Sequence, residues 1–463
     1  MIRILFCAPI VFEAPWRSGA AEPSAHTDMP VRRDSRGLPF LSGSELASAF
    51  ARSGSSLRPS WRGEDAEGKP MPAAIFFNDA LPLPRQQPTL AHMLEIRERV
   101  VIRRDTAATM TDGHFNMEVL PAGVVFCFSC RGNAKDEAEA DDMVRALEVF
   151  LARGGYLGGQ TNNGLGKWRA THGTHRSFNL DTKDGLRDWL LTGSGLDWQG
   201  DPGVFGRDRW TALPERDSGE WKLHMRIAID KGLHLTGGRK GMPVSGDPDD
   251  AQATRKRIDE QGRLWDEPVD CASAVKGRFR SAMEMLLRSH LIHEEGLGAG
   301  LVCDTLLPCD PRDKAGIPDL AAFFGHAQER KREGGCAAQW RVEEQPWYAA
   351  SRRRMEHNRL DHFTQQVLDQ ALFTFGPLSG GETCVTVVLK KDAPPWQRQL
   401  VMHAADLLNL ELLPWSGRGA RGYIGISVKD IQVSKPLEEC ERGALNATLQ
   451  AWKHEVENPK AHV

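Results

Sequence analysis

The sequence predicts an α+β protein built from two similar units that follow one another along the chain. Three observations lead to this prediction. The chain has 463 residues, which is too long for one ordinary hydrophobic core. Similar segments recur in the same order, and the apolar residues alternate with the periods of strands and helices.

The first strand of each unit shows the period of two that a half-buried strand requires. Residues 2–12 form an apolar run at the N-terminus, and residues 221–235 alternate cleanly at Leu223, Met225 and Ile227. The N-terminal run lacks the cleavage pattern of a signal peptide, so a strand is the better interpretation. A predicted helix follows in each unit, at 42–52 and at 272–288, with matching apolar residues 229 positions apart.

The later elements of the two units are separated by 258 residues. Gly123 precedes a predicted strand at 124–129, and Gly381 precedes another at 383–389. A predicted helix follows each strand, and its apolar residues match at the same spacing: Val144, Leu147 and Phe150 in the first, Met402, Ala405 and Leu408 in the second. Each helix leads into a glycine-rich segment, at 158–166 and at 416–425. An ordered series of this kind indicates an internal duplication.

This element order favours a ferredoxin-like (RRM-like) α+β domain in each unit, a sheet with helices on one face. We expect the first domain at 1–170, a linker at 171–219 and the second domain at 220–437. The second domain carries a polar insertion near 296–347, and residues 438–463 form a charged helix and tail.

Composition limits the classes of function. Net charge is −3, so any nucleic-acid site must come from local basic clusters and not from an overall positive field. The nine cysteines are scattered and odd in number, which fits reduced thiols in the cytoplasm. No segment approaches the roughly 18 apolar residues that a membrane helix needs.

Two groups of cysteines raise the question of a metal site. Cys127 and Cys130 lie in an apolar strand, where residues three apart face opposite sides, so a shared metal is disfavoured. The other group contains Cys303, Cys309, His326 and Cys336, whose spacing is irregular and loop-like. Zinc is one interpretation of this group, and ordinary cysteines are the favoured one.

Four ordered motifs resemble those of RAMP-superfamily backbone subunits of type III CRISPR effector complexes (Csm/Cmr-like). They are a D-x-x-G turn at 34–37 before a helix, a segment at 102–106 similar to I-D-R-x-T, an F-x-x-E-x-x-P-x-G segment at 115–123, and G-G-x-x-x-x-G-x-G at 158–166. Ala47 and Ala51 depart from the family, which has Lys and Arg there. The resemblance implies two tandem RAMP domains, each with an inserted thumb hairpin, at 95–112 and at 351–361.

The resemblance also implies an RNA-binding surface. Glycine is suited to close approach of the backbone to phosphates, and cations neutralise them. The residues matched to this role are Gly158, Gly159, Asn163, Gly164, Gly166 and Lys167 in the first glycine-rich turn; Gly417, Arg418, Arg421 and Gly422 in the second; Lys276, Arg278 and Arg280 on the helix at 272–288; and Arg103, Arg104 and Arg353 in the thumbs. Without the resemblance, tight hairpins and solvated charges would be the preferred interpretation.

Asp28 matches the family position that promotes cleavage of target RNA, where a carboxylate orients or deprotonates a ribose 2′-hydroxyl or holds a metal, Mg²⁺ or Mn²⁺. His26 is close enough in sequence to assist it. In the second unit Asp250 or Asp249 is the corresponding candidate, with an inert second unit as the alternative.

The leading hypothesis is therefore a fused backbone subunit that binds CRISPR RNA and cuts the paired target RNA. The alternatives are a scaffold subunit without cleavage and a guide-processing endonuclease with a histidine base and no metal. Besides the two RNAs, the resemblance implies as partners a large polymerase-like subunit, small helical subunits and other RAMP chains, and no membrane.

Overall fold

The computed structural model describes residues 1–20, 23–24, 27–53, 57–65, 67–103, 109–191, 211–213, 218–233, 253–270, 272–292, 307–308, 310, 313–326, 335–358, 363–367, 373–410 and 424–457. We call the described residues up to 213 the first half and those from 218 onward the second half. No helix among these residues is both long and apolar enough to cross a membrane.

The first half contains nine described strands and five described helices. The strands are β1 (Ile2–Phe12), β2 (Ile75–Phe77), β3 (Glu95–Ile102), β4 (Thr109–Val119), β5 (Val125–Ala134), β6 (Gly155–Tyr156), β7 (Lys167–Arg169), β8 (His172–Asn179) and β9 (Thr211–Ala212). The helices are α1 (Gly43–Arg52), α2 (Pro59–Arg62), α3 (Gln87–His92), α4 (Glu137–Arg153) and α5 (Lys183–Leu191).

The second half contains eleven described strands and four described helices. The strands are β10 (Trp221–Leu233), β11 (Thr254–Ile258), β12 (Leu264–Asp270), β13 (Trp340–Glu343), β14 (Gln345–Pro346), β15 (Ser351–Arg352), β16 (Met355–His357), β17 (Phe373–Phe375), β18 (Leu378–Ser379), β19 (Glu382–Leu389) and β20 (Ile424–Val433). The helices are α6 (Ala272–Ile292), α7 (Pro318–Phe324), α8 (Pro395–Asn409) and α9 (Ala444–Glu457).

The fold is a mixed α+β fold with antiparallel sheets. In the first sheet β1 lies between β5 and β8, and β2 lies outside β5. Alternate β1 side chains, among them Ile4 and Phe6, are buried on one face, where they share a core with residues of α1 and α4. Phe50 of α1 and Phe150 of α4 meet there with ring centroids 5.5 Å apart.

The second sheet has the same strand order. β10 lies between β19 and β20, and β13 lies outside β19. The alternating Leu223, Met225 and Ile227 of β10 are buried in a core shared with α6 and α8, and α9 closes this core with Leu445, Leu449 and Trp452.

The helix positions agree with the spacings in the sequence. Helices α1 and α6 begin at Gly43 and Ala272, 229 residues apart, and α4 and α8 begin at Glu137 and Pro395, 258 residues apart. The residues expected to match on the first pair, Leu46 with Val275 and Phe50 with Phe279, are all buried.

Two of the predicted boundaries differ from the structure. The segment assigned to a linker, 171–219, opens with β8, which pairs with β1 over six residues and buries Thr174 and Phe178. The segment assigned to an insertion, 296–347, contains β13, the edge strand of the second sheet, and α7, whose Leu320 and Phe323 lie in the core. Strand β8 carries only one large apolar residue, Phe178, so its burial is not evident from local composition.

Short strand pairings overlap the segments 95–112 and 351–361. Strands β3 and β4 pair with each other from Glu95–Val119 to Ile102–Thr109. In the second half, β16 pairs with β17, while β15 joins the main sheet through β18.

The β11–β12 hairpin of the second half packs against the first half. Ala122 donates its N–H to the Lys256 carbonyl at 3.0 Å and accepts the Ile258 N–H at 2.8 Å, and Ile258 is buried in the core of the first half. The Gln86 and Thr89 side chains donate to the carbonyls of Asp259 and Gly262, at 2.9 and 2.7 Å.

Candidate nucleic-acid interface

Asp28 is exposed and is held at the root of the β3–β4 hairpin. Its N–H donates to Asn116 Oδ1 at 2.8 Å, and its Oδ2 accepts the Asn116 N–H at 2.8 Å. Its second oxygen, Oδ1, has no hydrogen-bond partner among the described residues. The carboxylate is therefore fixed in position and still has one oxygen available to a ligand.

The loop that carries Asp28 is anchored by the F-x-x-E segment. Glu118 accepts the Val31 N–H at 2.9 Å and lies 3.7 Å from the Arg33 guanidinium. Sequence reasoning noted this segment only as a motif and did not assign Asn116 or Glu118 a role. Since the motif follows a strand that pairs locally, a contact with a loop 88 residues earlier is not visible in the sequence.

Three glycines of the first glycine-rich turn are required by neighbouring protein backbone. Gly158, Gly164 and Gly166 have φ of 85°, 82° and 78°, which side chains rarely adopt. A Cβ on Gly158 would lie 2.2 Å from the Arg17 carbonyl oxygen, and one on Gly166 would lie 1.9 Å from that of Leu157. Gly164 packs in the same way against Ala272 of the second half, at 2.4 Å. These contacts with protein explain why glycine is needed at the three positions, with no need for a contact with RNA phosphates.

The polar residues of this turn are also engaged with protein. Lys167 Nζ donates to Glu343 at 2.9 Å, and Asn163 Nδ2 donates to Gln160 Oε1 at 2.5 Å. Lys167 thus stabilises the junction between the halves, because Glu343 also accepts from Tyr156 at 2.7 Å. Its predicted RNA-binding role would require it to leave this ion pair.

Helix α6 places its three basic residues in unequal surroundings. The ammonium of Lys276 lies 5.0 Å from the centre of the Trp340 ring, and burial, with a contribution from Arg280, lowers the pKa of Lys276 to about 7. Arg280 is paired with Glu284 at 2.6 Å and covers the Phe324 ring. Arg278 is half-buried. Burial therefore weakens the positive charge that Lys276 can offer to a phosphate near neutral pH.

The β3–β4 hairpin has two contrasting faces. Ile96, Val100 and Ile102 of β3 are exposed, at 54%, 47% and 47%. On the other face Arg97 is buried and forms a bidentate pair with Glu344 of the second half, at 2.7 and 3.0 Å. Arg103, at the end of the hairpin, is half-buried, and Arg353 in the second half is exposed.

Several predicted site residues lie outside the residues that the structure describes. They are His26, Arg104, Asp249, Asp250, Gly417, Arg418, Arg421 and Gly422, together with Cys303 and Cys309 of the zinc group. The other two members of that group are neighbours: His326 and Cys336 exchange backbone hydrogen bonds of 2.9 and 3.2 Å. Within the described ranges, no three His, Cys, Asp or Glu side chains are grouped as metal ligands.

Comparison with curated proteins found no match. In a comparison with protein-family models, residues 10–169 match the model described as the RAMP superfamily. The matched residues include the end of β1, the Asp28 loop, the β3–β4 hairpin and the first glycine-rich turn, whose arrangement is given above. Residues 10–169 of the chain are therefore a RAMP superfamily domain.

Proposed function

We propose that the chain is a backbone subunit of a type III CRISPR effector complex that binds CRISPR RNA and cleaves the paired target RNA at Asp28. The RAMP domain supports a CRISPR-associated, RNA-binding function, and some members of the superfamily are nucleases. The single observation that carries the cleavage proposal is the fixed, exposed carboxylate of Asp28 beside the β3–β4 hairpin.

A tandem pair of RAMP modules is part of this proposal. It is supported by the shared strand order of the two sheets and by helix starts at the spacings of the sequence repeat. The D-x-x-G turns give weaker support. Asp34 and Asp259 each accept two backbone N–H groups through Oδ1, but Asp65 forms the same turn, so the motif is not specific to the modules.

The proposed cleavage reaction uses the Oδ1 atom of Asp28. With Oδ2 held by Asn116, Oδ1 can accept the proton of a ribose 2′-hydroxyl. The 2′-oxygen then attacks the adjacent phosphorus, the bond to the 5′-oxygen breaks, and the departing oxygen takes up a proton. The products are a 2′,3′-cyclic phosphate and a 5′-hydroxyl.

The site offers a divalent cation one protein ligand. Mg²⁺ is usually bound through one or two carboxylates, water and substrate phosphates, and Asp28 supplies one carboxylate oxygen. Mg²⁺ or Mn²⁺ held by Asp28 would supply charge stabilisation at the reacting phosphate. Asp28 itself positions the hydroxyl and accepts its proton.

The hairpin next to Asp28 has the surface that a thumb requires. Ile96, Val100 and Ile102 form an exposed apolar row that can insert between bases, at a cost of a few kcal/mol of unstacking that contacts with the RNA backbone offset. Cleavage in the second module is proposed for Asp250 or Asp249. The proposed neighbours are the large polymerase-like subunit, small helical subunits and other RAMP chains.

Asp28→Ala is expected to reduce target-RNA cleavage by the assembled complex about 100-fold or more at one position, since general-base catalysis contributes that much. Guide binding should not change, because a carboxylate carries no positive charge to attract the guide phosphates. The measurement is a time course of end-labelled target RNA with Mg²⁺ at single-turnover conditions.

Asp141→Ala, which removes an exposed carboxylate from α4, is the matched control and should cut like the wild type. If Asp28→Ala cuts every position at the wild-type rate, Asp28 is not catalytic. The alternative of a scaffold subunit without cleavage is then favoured. Cleavage of precursor guide RNA that persists in EDTA would instead favour the guide-processing alternative.

A further inference from the structure

Arg17 is a buried cation near the Asp28 loop, and sequence reasoning did not single it out. Its side chain is 4% exposed. Nη2 donates to the Met29 carbonyl at 3.4 Å and Nη1 to the Met29 sulfur at 3.8 Å, both long contacts. Nε has no partner among the described residues. A guanidinium with five donors is therefore poorly satisfied.

No carboxylate in the described part of the chain forms an ion pair with Arg17. The acidic group that acts on it is Glu118, whose oxygens are engaged by Val31 and Arg33. Burial lowers the pKa of Arg17, and the charge of Glu118 only partly opposes this. A buried cation without a partner costs several kcal/mol, and an anionic ligand would offset that cost.

Two glycines lie against the guanidinium. A Cβ on Gly19 would lie 3.3 Å from Nη2, and a Cβ on Gly159 would lie 3.9 Å from Nη1. Two positions beside the guanidinium are therefore free of side chains. Gly159 belongs to the glycine-rich turn, and Met29 directly follows Asp28, so Arg17 joins the two parts of the candidate interface.

We propose that Arg17 binds a backbone phosphate of the RNA beside Asp28; this rests on the proposed function. A guanidinium matches two phosphate oxygens with two parallel N–H donors. In this arrangement Asp28 accepts the proton of the 2′-hydroxyl while Arg17 stabilises the negative charge that develops on the phosphate oxygens. The pair would supply the two charges that the reaction needs from the protein.

The competing role is structural, with Arg17 serving only to hold the Met29 carbonyl. Arg17→Met separates the two, because methionine keeps apolar volume and removes the charge. If Arg17 binds a phosphate, the variant loses RNA affinity, while the midpoint of its thermal unfolding without RNA stays the same or rises. If Arg17 is structural, the midpoint falls and RNA affinity does not change beyond that of the folded fraction.

The experiment uses the full chain and an oligonucleotide with the sequence of the RNA that copurifies with it. Arg17→Met is expected to weaken binding about tenfold and to lower the slope of log affinity against log salt by about 0.7, the contribution of one phosphate contact to a single strand. Arg17→Lys should restore the slope. Arg145→Met, which removes the same charge from an exposed position on α4, should bind like the wild type.

An affinity and slope like those of the wild type overturn the assignment, and so does a loss of affinity together with a lowered thermal midpoint. In either case the proposed function can still stand, provided that Asp28→Ala abolishes cleavage. Failure of the proposed function is a different result, in which the wild-type chain itself binds no RNA.

Discussion

Glu344→Leu is expected to lower the free energy of unfolding by about 3 kcal/mol, because the buried cation of Arg97 loses its bidentate partner and keeps only Glu95, at 2.5 Å. Both side chains are buried, and this ion pair joins residues 247 positions apart across the two halves. Burial raises the pKa of Glu344, but Arg97 and Arg255 outweigh it, so the carboxyl stays ionised. Urea unfolding at neutral pH measures the change.

The double variant Arg97→Met, Glu344→Leu is the matched control. It removes both charges of this pair and fills similar volume, while Glu95 keeps the Lys256 N–H as its donor at 2.8 Å, so it is expected to recover part of the lost stability. If Glu344→Leu alone unfolds at the urea concentration of the wild type, the ion pair does not hold the halves together.

Gly158→Ala is expected to destabilise the first half and to reduce both RNA binding and cleavage. The positive φ alone costs about 1–3 kcal/mol, and the new Cβ would lie 2.2 Å from the Arg17 carbonyl oxygen, which is backbone and cannot move cheaply. Displacement of Arg17 would also disturb the Asp28 loop. Thermal unfolding and RNA affinity are measured together on the same preparation.

Gly159→Ala is the control for this prediction, since it lies next to Gly158 with an ordinary φ and its Cβ would be no closer than 3.9 Å to another group. It should unfold nearly as the wild type does. Equal stability of the two variants would contradict the account of this turn.

The architecture was predictable where one local pattern decides the structure. The alternation at Leu223, Met225 and Ile227 identifies a half-buried strand without knowledge of its partners. The spacing of 258 residues between Gly123 and Gly381 placed two helices that begin at that spacing, at Glu137 and Pro395. Both signals are carried by apolar residues whose burial does not depend on a distant contact.

The electrostatic part of the site was not predictable, because charged partners are distant in sequence. Lys167 follows a glycine-rich turn and has the features of a phosphate ligand, yet it is paired with Glu343 of the other half. Arg97 belongs to a run of charges typical of a solvated strand, yet it is buried. Arg17 belongs to none of the sequence motifs. Its significance comes from the lack of a carboxylate partner among the described residues, which only the three-dimensional arrangement shows.

Sequencing the RNA that copurifies with the full chain from its native host tests whether the chain holds guide RNA. The account predicts a set of RNAs that share one constant segment joined to many different variable segments, as expected of CRISPR RNA. A preparation without RNA, or with RNAs in proportion to their cellular abundance, would contradict it.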